Sequence, residues 1–270
     1  MNFATLEFAV FMVVANDMQI GHIFMKNKEF LINYENVNLI TAGTTPAAFS
    51  DINRLNWRCQ ALLTQNQEAV KGQKVLDLAC NNGRFSYACL ELGAKHVTGV
   101  EGRQQVVERA EKFMSSTAAP QDKWRFLQGD LFDYLSSVKP GEFDTVLCFG
   151  FLYHTTRQVE FFEEIKRIKP ASVIVDTSVG RKIFTFGRRG FKKPPSLVFI
   201  VEDPTLERMT IDESGLVALP TKSFLEYMFK LHGFSCKEIS FKKAGIKNWA
   251  GLKDYRKGGR VAYIAKREQK

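Results

Sequence analysis

What the chain lacks narrows its class first. No apolar run is long enough to cross a bilayer as a helix, which takes about 20 residues. The most apolar stretch, Met1 to Ala15, is interrupted by Glu7 and has no basic residue ahead of it, so it reads as a packed helix or strand rather than a targeting segment, with an interfacial anchor as the alternative. Paired cysteines are missing too. The five, Cys59, Cys80, Cys89, Cys148 and Cys236, are an odd number without zinc-ligand spacing, as expected of reduced packing residues in a cytoplasmic protein that holds no structural metal. Acidic residues are outnumbered, 29 against 38 lysines and arginines, leaving a net charge of +9. Such an excess draws an anionic partner, RNA or a phosphorylated metabolite, or is simply a solvated basic surface. With 45% hydrophobic and 25% charged residues over 270 positions, the composition is that of a globular chain with a sizeable core, which excludes disorder.

What is present is organised around Lys74 to Ser86. An apolar run, Val75 to Leu78, passes into small and turn-forming residues and then into Phe85, Tyr87, Ala88 and Leu90 at helical spacing. The pattern predicts strand, tight loop, helix. In an open α/β sheet such a loop lies beyond the carboxyl ends of the strands, where backbone N–H groups and a helix N-terminus approach a nucleotide-sized ligand.

Residues 1–49 read as an N-terminal extension and 50–270 as the principal domain. Ser50 or Asp51 caps a helix with Leu55, Cys59, Leu62 and Leu63 on one face. Beyond the loop, strands are predicted at His96 to Glu101, Trp124 to Asp130, Phe143 to Phe149 and Ala171 to Asp176, with helices at Arg103 to Ser115 and Phe161 to Ile168. This alternation predicts a mainly parallel, doubly wound α/β sheet of Rossmann-like form with helices on both faces. Residues 180–220 break the rhythm and read as an insertion, a hairpin or lid. Thr221 caps a further helix to Leu231, and Cys236 to Phe241 with Arg260 to Ala265 form a closing antiparallel pair.

Asp77, Glu101 and Asp130 fall at successive strand ends, along one edge of such a sheet. A carboxylate at the end of the second strand suits the two hydroxyls of a ribose, which makes Glu101 the candidate. Asp130, after Gly129, is placed for an exocyclic amine such as that of adenine. A dinucleotide site is disfavoured: its fingerprint needs three spaced glycines, and the loop has only Gly83.

The loop, with Glu101, Gly129-Asp130 and Phe143-Asp144, resembles the class I S-adenosylmethionine-dependent methyltransferases over about Lys74 to Asp176. Ala79 and Asn81 stand where that family has glycines; Asn tolerates left-handed angles and Ala is small, so the turn remains feasible. The resemblance implies S-adenosylmethionine as cofactor, held by Asp77, Ala79, Cys80, Asn81, Gly83, Glu101, Gly102, Asp130, Leu131 and Phe149, with Arg54, Trp57 and Arg58 of the preceding helix over its methionine end, where a cation, Arg54 first, meets the carboxylate. Gly150 to His154 looks like the tail after the fourth strand, and Leu152-Tyr153-His154 is similar to the branch that includes tRNA wobble-uridine carboxymethoxy-forming methyltransferases. Tyr153 and His154 are the catalytic candidates, His154 as the base for a hydroxyl acceptor. The acceptor implied is a hydroxyl or amine of a small molecule. The alternatives are a tRNA wobble uridine, gripped by the basic aromatic patches Arg181 to Lys193 and Lys242 to Lys257, or a non-catalytic binding role.

Overall fold

The computed structural model describes residues 52–180, 185–187, 190–203, 214–246, 249 and 251–268. The predicted N-terminal extension, the helix cap at Ser50 or Asp51, and residues 181–184 and 188–189 of the Arg181 to Lys193 patch lie outside the described residues.

In chain order the elements are α1 (Ile52–Leu62), β1 (Lys74–Leu78), α2 (Arg84–Glu91), β2 (His96–Glu101), α3 (Gln104–Ser115), β3 (Trp124–Gln128), α4 (Leu131–Ser137), β4 (Thr145–Phe149), α5 (Gln158–Ile168) and β5 (Ser172–Ser178). Then come β6 (Thr185–Gly187), β7 (Gly190–Lys192), β8 (Leu197–Val201), β9 (Leu216–Pro220), α6 (Lys222–Leu231), β10 (Phe234–Glu238), α7 (Lys253–Arg256) and β11 (Arg260–Arg267). Seven strands make one sheet in the order β10-β11-β5-β4-β1-β2-β3, parallel except for β11, which runs antiparallel to both β5 and β10. The Rossmann-like expectation holds. Strand order reverses between β1 and β4, so the crevice of a doubly wound sheet opens beyond Leu78 and Phe149.

Both faces of the sheet are covered, and the side-chain period of two decides what each face carries. Val75, Leu147, Ile174 and Ile264 pack with Leu55, Cys59, Leu62, Phe85 and Cys89 of α1 and α2. Leu76, Val146, Val173 and Tyr263 pack against Phe132, Phe161, Ile165, Leu225 and Phe229 of α4, α5 and α6. The seven-residue α4 is too short for Leu131 and Leu135, one turn apart, to stand out as a helical pattern in the sequence. Asp130 starts it, its Oδ1 accepting from the N–H groups of Phe132 and Asp133 at 2.8 and 3.1 Å. Thr221 caps α6 as expected, accepting from Phe224 N–H.

The stretch read as an insertion contains two small antiparallel pairs, β6 with β7 and β8 with β9. The β8–β9 hairpin is tied down at several points: Ala218 N–H donates to Thr155 O at 3.1 Å, Gly180 N–H to Pro220 O at 3.1 Å, and Thr221 N–H to Ser196 O at 2.9 Å.

Candidate active site

The loop after β1 achieves its turn with three left-handed residues. Ala79, Asn81 and Gly83 have φ of 53°, 52° and 71°. Asn81 supports its own strained position: its side-chain oxygen accepts from Asn82 N–H at 2.8 Å and from Arg84 Nη1 at 3.2 Å. Gly83 has a second reason to be glycine, since a Cβ there would lie 2.6 Å from the Phe126 ring. The same ring forbids a side chain at Gly99 of β2, so Phe126 packs where β1, β2 and α2 come closest.

Asp77 faces α1 and α2, is 1% exposed, and accepts from Ser86 Oγ at 2.7 Å. Burial pushes its carboxyl up to about 6, only partly opposed by the Ser86 hydroxyl and nearby Arg84. Glu101 closes the other side of the loop. Its Oε2 accepts from Asn81 N–H at 3.2 Å, and its Oε1 from Arg103 Nε at 2.8 Å. Cys80 N–H donates to Val100 O, and Gly129 N–H to Glu101 O, so Gly102 and Gly129 stand side by side at the ends of β2 and β3. Leu131 is buried behind Asp130, and Arg157 lies 3.8 Å from Asp130 Oδ1 while covering the Phe132 ring.

On the β4 and β5 side the decisive group is Asp176, fully buried and level with Phe149 across the ladder. Arg58 from α1 donates to its Oδ2 through Nε and Nη2 at 3.0 and 2.6 Å, Tyr255 OH donates to the same oxygen at 2.7 Å, and Arg260 Nε donates to Oδ1 at 2.7 Å. Burial alone would raise this carboxyl, but Arg260 and Arg58 outweigh it and hold Asp176 at about 2. Phe85 meets Phe149 edge-on at 4.9 Å, and the guanidinium groups of Arg58 and Arg84 lie over its ring at 4.7 and 5.5 Å. Burial and the neighbouring Arg58 lower Arg84 to about 10, and its Nε is buried without a hydrogen-bond partner.

After β4 the chain turns at Gly150, whose φ of 89° is the left-handed conformation that favours glycine. The turn presents Tyr153 and His154 with ring centroids 3.9 Å apart. His154 Nδ1 lies 2.7 Å from Glu202 Oε2. Burial lowers the imidazole's proton affinity, and Glu202 offsets this only in part.

A family model described as a methyltransferase domain matches residues 69–183. Residues 69–183 thus form a methyltransferase domain.

Around this methyltransferase domain the similarity thins. The ubiquinone biosynthesis O-methyltransferase of Idiomarina loihiensis is 24% identical over 197 residues, 66% of this chain and 78% of that one. The mitochondrial ubiquinone biosynthesis O-methyltransferase of Schizosaccharomyces pombe is 27% identical over 131 residues, 48% and 46% of the two chains. The tRNA U34 carboxymethyltransferase of Idiomarina loihiensis is 30% identical over 125 residues, 45% and 37%. Apart from the first, the chain thus spans less than half the length of these relatives. Among solved structures, the N-terminal domain of EvdMO1 in the presence of SAH and D-fucose superposes with a TM-score of 0.56 at 18% identity, covering 76% of this chain and 80% of that one. A Listeria monocytogenes protein described as a putative S-adenosylmethionine dependent methyltransferase gives 0.56 at 16% identity, covering 80% and 99%.

Within the methyltransferase domain, the fold brings Asp77, Ala79, Cys80, Asn81, Gly83, Glu101, Gly102, Asp130, Leu131 and Phe149 to the carboxyl ends of β1 to β4. Arg54 is placed differently from the expectation. It donates to both oxygens of Asp254, at 2.9 and 2.7 Å, and to Gly251 O, joining α1 to α7. The cations facing the loop are instead Arg58 and Arg84. Arg58 is a sequence candidate beside Arg54; Asp176, the last residue of the predicted fifth strand, is not among the site residues that the sequence singles out. Tyr255 and Arg260 stand in the C-terminal stretch whose pattern is similar to the wobble-uridine branch, without a role assigned to either, and Glu202 carries no local signal.

Proposed function

We propose that this chain binds S-adenosylmethionine at the β1/β4 crevice and transfers its methyl group to a hydroxyl of a small molecule. The observation that carries the reading is the pairing, across one crevice, of a left-handed loop edged by Glu101 with a partly buried histidine whose Nδ1 is held by a carboxylate. The chain's groups fit the cofactor chemically: Glu101 for ribose hydroxyls, Asp77 for a cationic amine, and the unpartnered Arg84 Nε with its positive surroundings for a carboxylate.

The cofactor supplies an activated methyl group on its sulfonium. The chain's work is placement and a proton. The loop amides and Glu101 orient the cofactor, the Phe85–Phe149 pair and the two sheet-face cores keep water out of the crevice floor, and His154 takes the acceptor's proton at Nε2. A histidine with a lowered proton affinity is neutral at physiological pH and so is ready to accept.

Calorimetric titration with S-adenosylhomocysteine tests the site. Binding by the wild type that is lost or weakened at least tenfold in Asp77→Ala and Glu101→Ala supports it; unchanged affinity in both variants rejects the assignment.

A second reading, an RNA acceptor, is favoured by one surface. Phe241 stacks on Tyr255 at 3.9 Å, which brings the exposed Lys242 and Lys243 next to the exposed Lys253, Arg256 and Lys257. Phosphate contacts weaken steeply with salt. Filter binding of total tRNA from low to high salt decides it: no binding at low salt removes the RNA reading and leaves the small molecule.

A further inference from the structure

We propose that Glu202, at the end of the β8–β9 hairpin, is the positioning residue of the site: it fixes His154 in the tautomer that leaves Nε2 free to take a proton. The inference rests on His154 being the base. It goes further by assigning part of the reaction to a segment that lies outside the methyltransferase family match at residues 69–183.

The geometry is direct. Nδ1 of His154 and Oε2 of Glu202 lie 2.7 Å apart, with the two side chains only 11% and 15% exposed. A carboxylate only accepts, so Nδ1 carries the proton and Nε2 the lone pair. The hairpin that delivers Glu202 is seated against the segment that carries His154. Buried Gln158 Nε2 donates to Leu152 O and Thr155 O on that segment and to Ala218 O of β9, at 2.8, 2.5 and 2.7 Å. Ala218 N–H returns a bond to Thr155 O, and Glu202 N–H closes the hairpin on Gly215 O at 2.7 Å. Val217 and Ala218 have no exposed surface, and Val198 presses on Gly180. In the described residues β9 is the seated strand of the pair, while Phe199, Ile200 and Val201 of β8 are exposed.

The groups that set the charge on His154 come from four elements. Arg260 of β11 and Arg103 before α3 disfavour an imidazolium, the tilted Tyr153 ring lies against His154 at 3.9 Å, and Glu202 is the anion that stabilises the positive charge as it forms. Without Glu202 the ring is free to turn or to place its proton on Nε2, and the base weakens on both counts.

The test needs no knowledge of the acceptor. Long-range proton–nitrogen spectra of the full chain, with His154 assigned by the signals missing in His154→Gln, report tautomer and pKa directly. The expected wild-type state is Nδ1-protonated. Glu202→Ala lowers the His154 pKa and shifts the tautomer towards Nε2–H; Glu202→Gln, which keeps an accepting oxygen, restores the tautomer but not the pKa. An unchanged tautomer and pKa in both variants overturns the proposal. S-adenosylhomocysteine titration of the same samples separates the two claims: binding retained in Glu202→Ala with the spectral change present supports the positioning role, and binding absent from the wild type rejects the cofactor reading while the spectra still judge Glu202. Where an acceptor is turned over, kcat falls roughly 10- to 100-fold in Glu202→Ala with KM for S-adenosylmethionine unchanged. Full turnover in that variant overturns the role.

Discussion

Arg58 and Asp176, 118 residues apart in the chain, meet at 2.6 Å beneath the carboxyl end of β5, both buried. Arg260 reaches the same carboxylate from β11, and Tyr255 adds its hydroxyl. One buried anion thus ties α1, the antiparallel strand β11 and α7 to the floor of the crevice. Desolvating these charges costs several kcal/mol per ion, so the cluster is tolerable only while every member is bonded.

Removing the anion should therefore be far worse than removing an exposed one. In Asp176→Ala two buried guanidinium groups lose their partner, and a loss of roughly 3 to 5 kcal/mol is expected in urea unfolding. The pH dependence has a defined sign. A carboxyl held at about 2 in the folded chain, against 3.8 ordinarily, contributes stability above about pH 4 and loses it as pH falls towards 2. The wild type should lose roughly 2 to 3 kcal/mol across that window relative to Asp176→Asn. Parallel curves for the two proteins would show that the pairing does not operate in solution.

Asp77 behaves in the opposite sense. Its carboxyl, raised to about 6 by burial, binds a proton more readily folded than unfolded. The penalty of keeping it ionised grows from about pH 4 to pH 6 and is constant above. Asp77→Asn should therefore raise thermal stability at pH 8, by up to roughly 3 kcal/mol, and leave it unchanged near pH 4. The same variant should lose S-adenosylhomocysteine affinity. A gain in stability with a loss of binding is the signature of a group kept for its site; a variant less stable than wild type at pH 8 would contradict it.

These predictions divide according to how local their causes are. The loop from Asp77 to Gly83, Glu101 at the end of β2 and the Thr221 cap could be read in the sequence because each depends on residues a few positions apart: a strand running into small residues, a strand ending in an acid, a hydroxyl before a helix. Ala79 and Asn81 adopt the left-handed angles of the glycines they replace, and the Asn81 side chain shows how. Arg54 and Arg58 share a helix face, yet one pairs with Asp254 and the other with Asp176, a choice made by α7 and β5 some 120 to 200 residues away. Glu202 was illegible for the same reason. Its partner is 48 residues distant, and nothing in Val201-Glu202-Asp203 distinguishes it from a solvated turn.

The packing of Phe126 supplies the last prediction. A Cβ on Gly99 would stand 2.5 Å from the Phe126 ring and 2.8 Å from Cys80 Sγ, and β2 is paired on both sides, so the backbone has no room to retreat. Gly99→Ala should cost roughly 1 to 3 kcal/mol by overpacking. It should also push Cys80, and with it the cofactor loop, so that S-adenosylhomocysteine binding weakens although Gly99 touches no ligand group. Shortening the ring side chain relieves the contact: Gly99→Ala combined with Phe126→Leu should recover a large part of the lost stability and binding, a coupling readable as a double-mutant cycle. Strict additivity of the two substitutions, in either measurement, would mean that Phe126 is not what keeps position 99 a glycine.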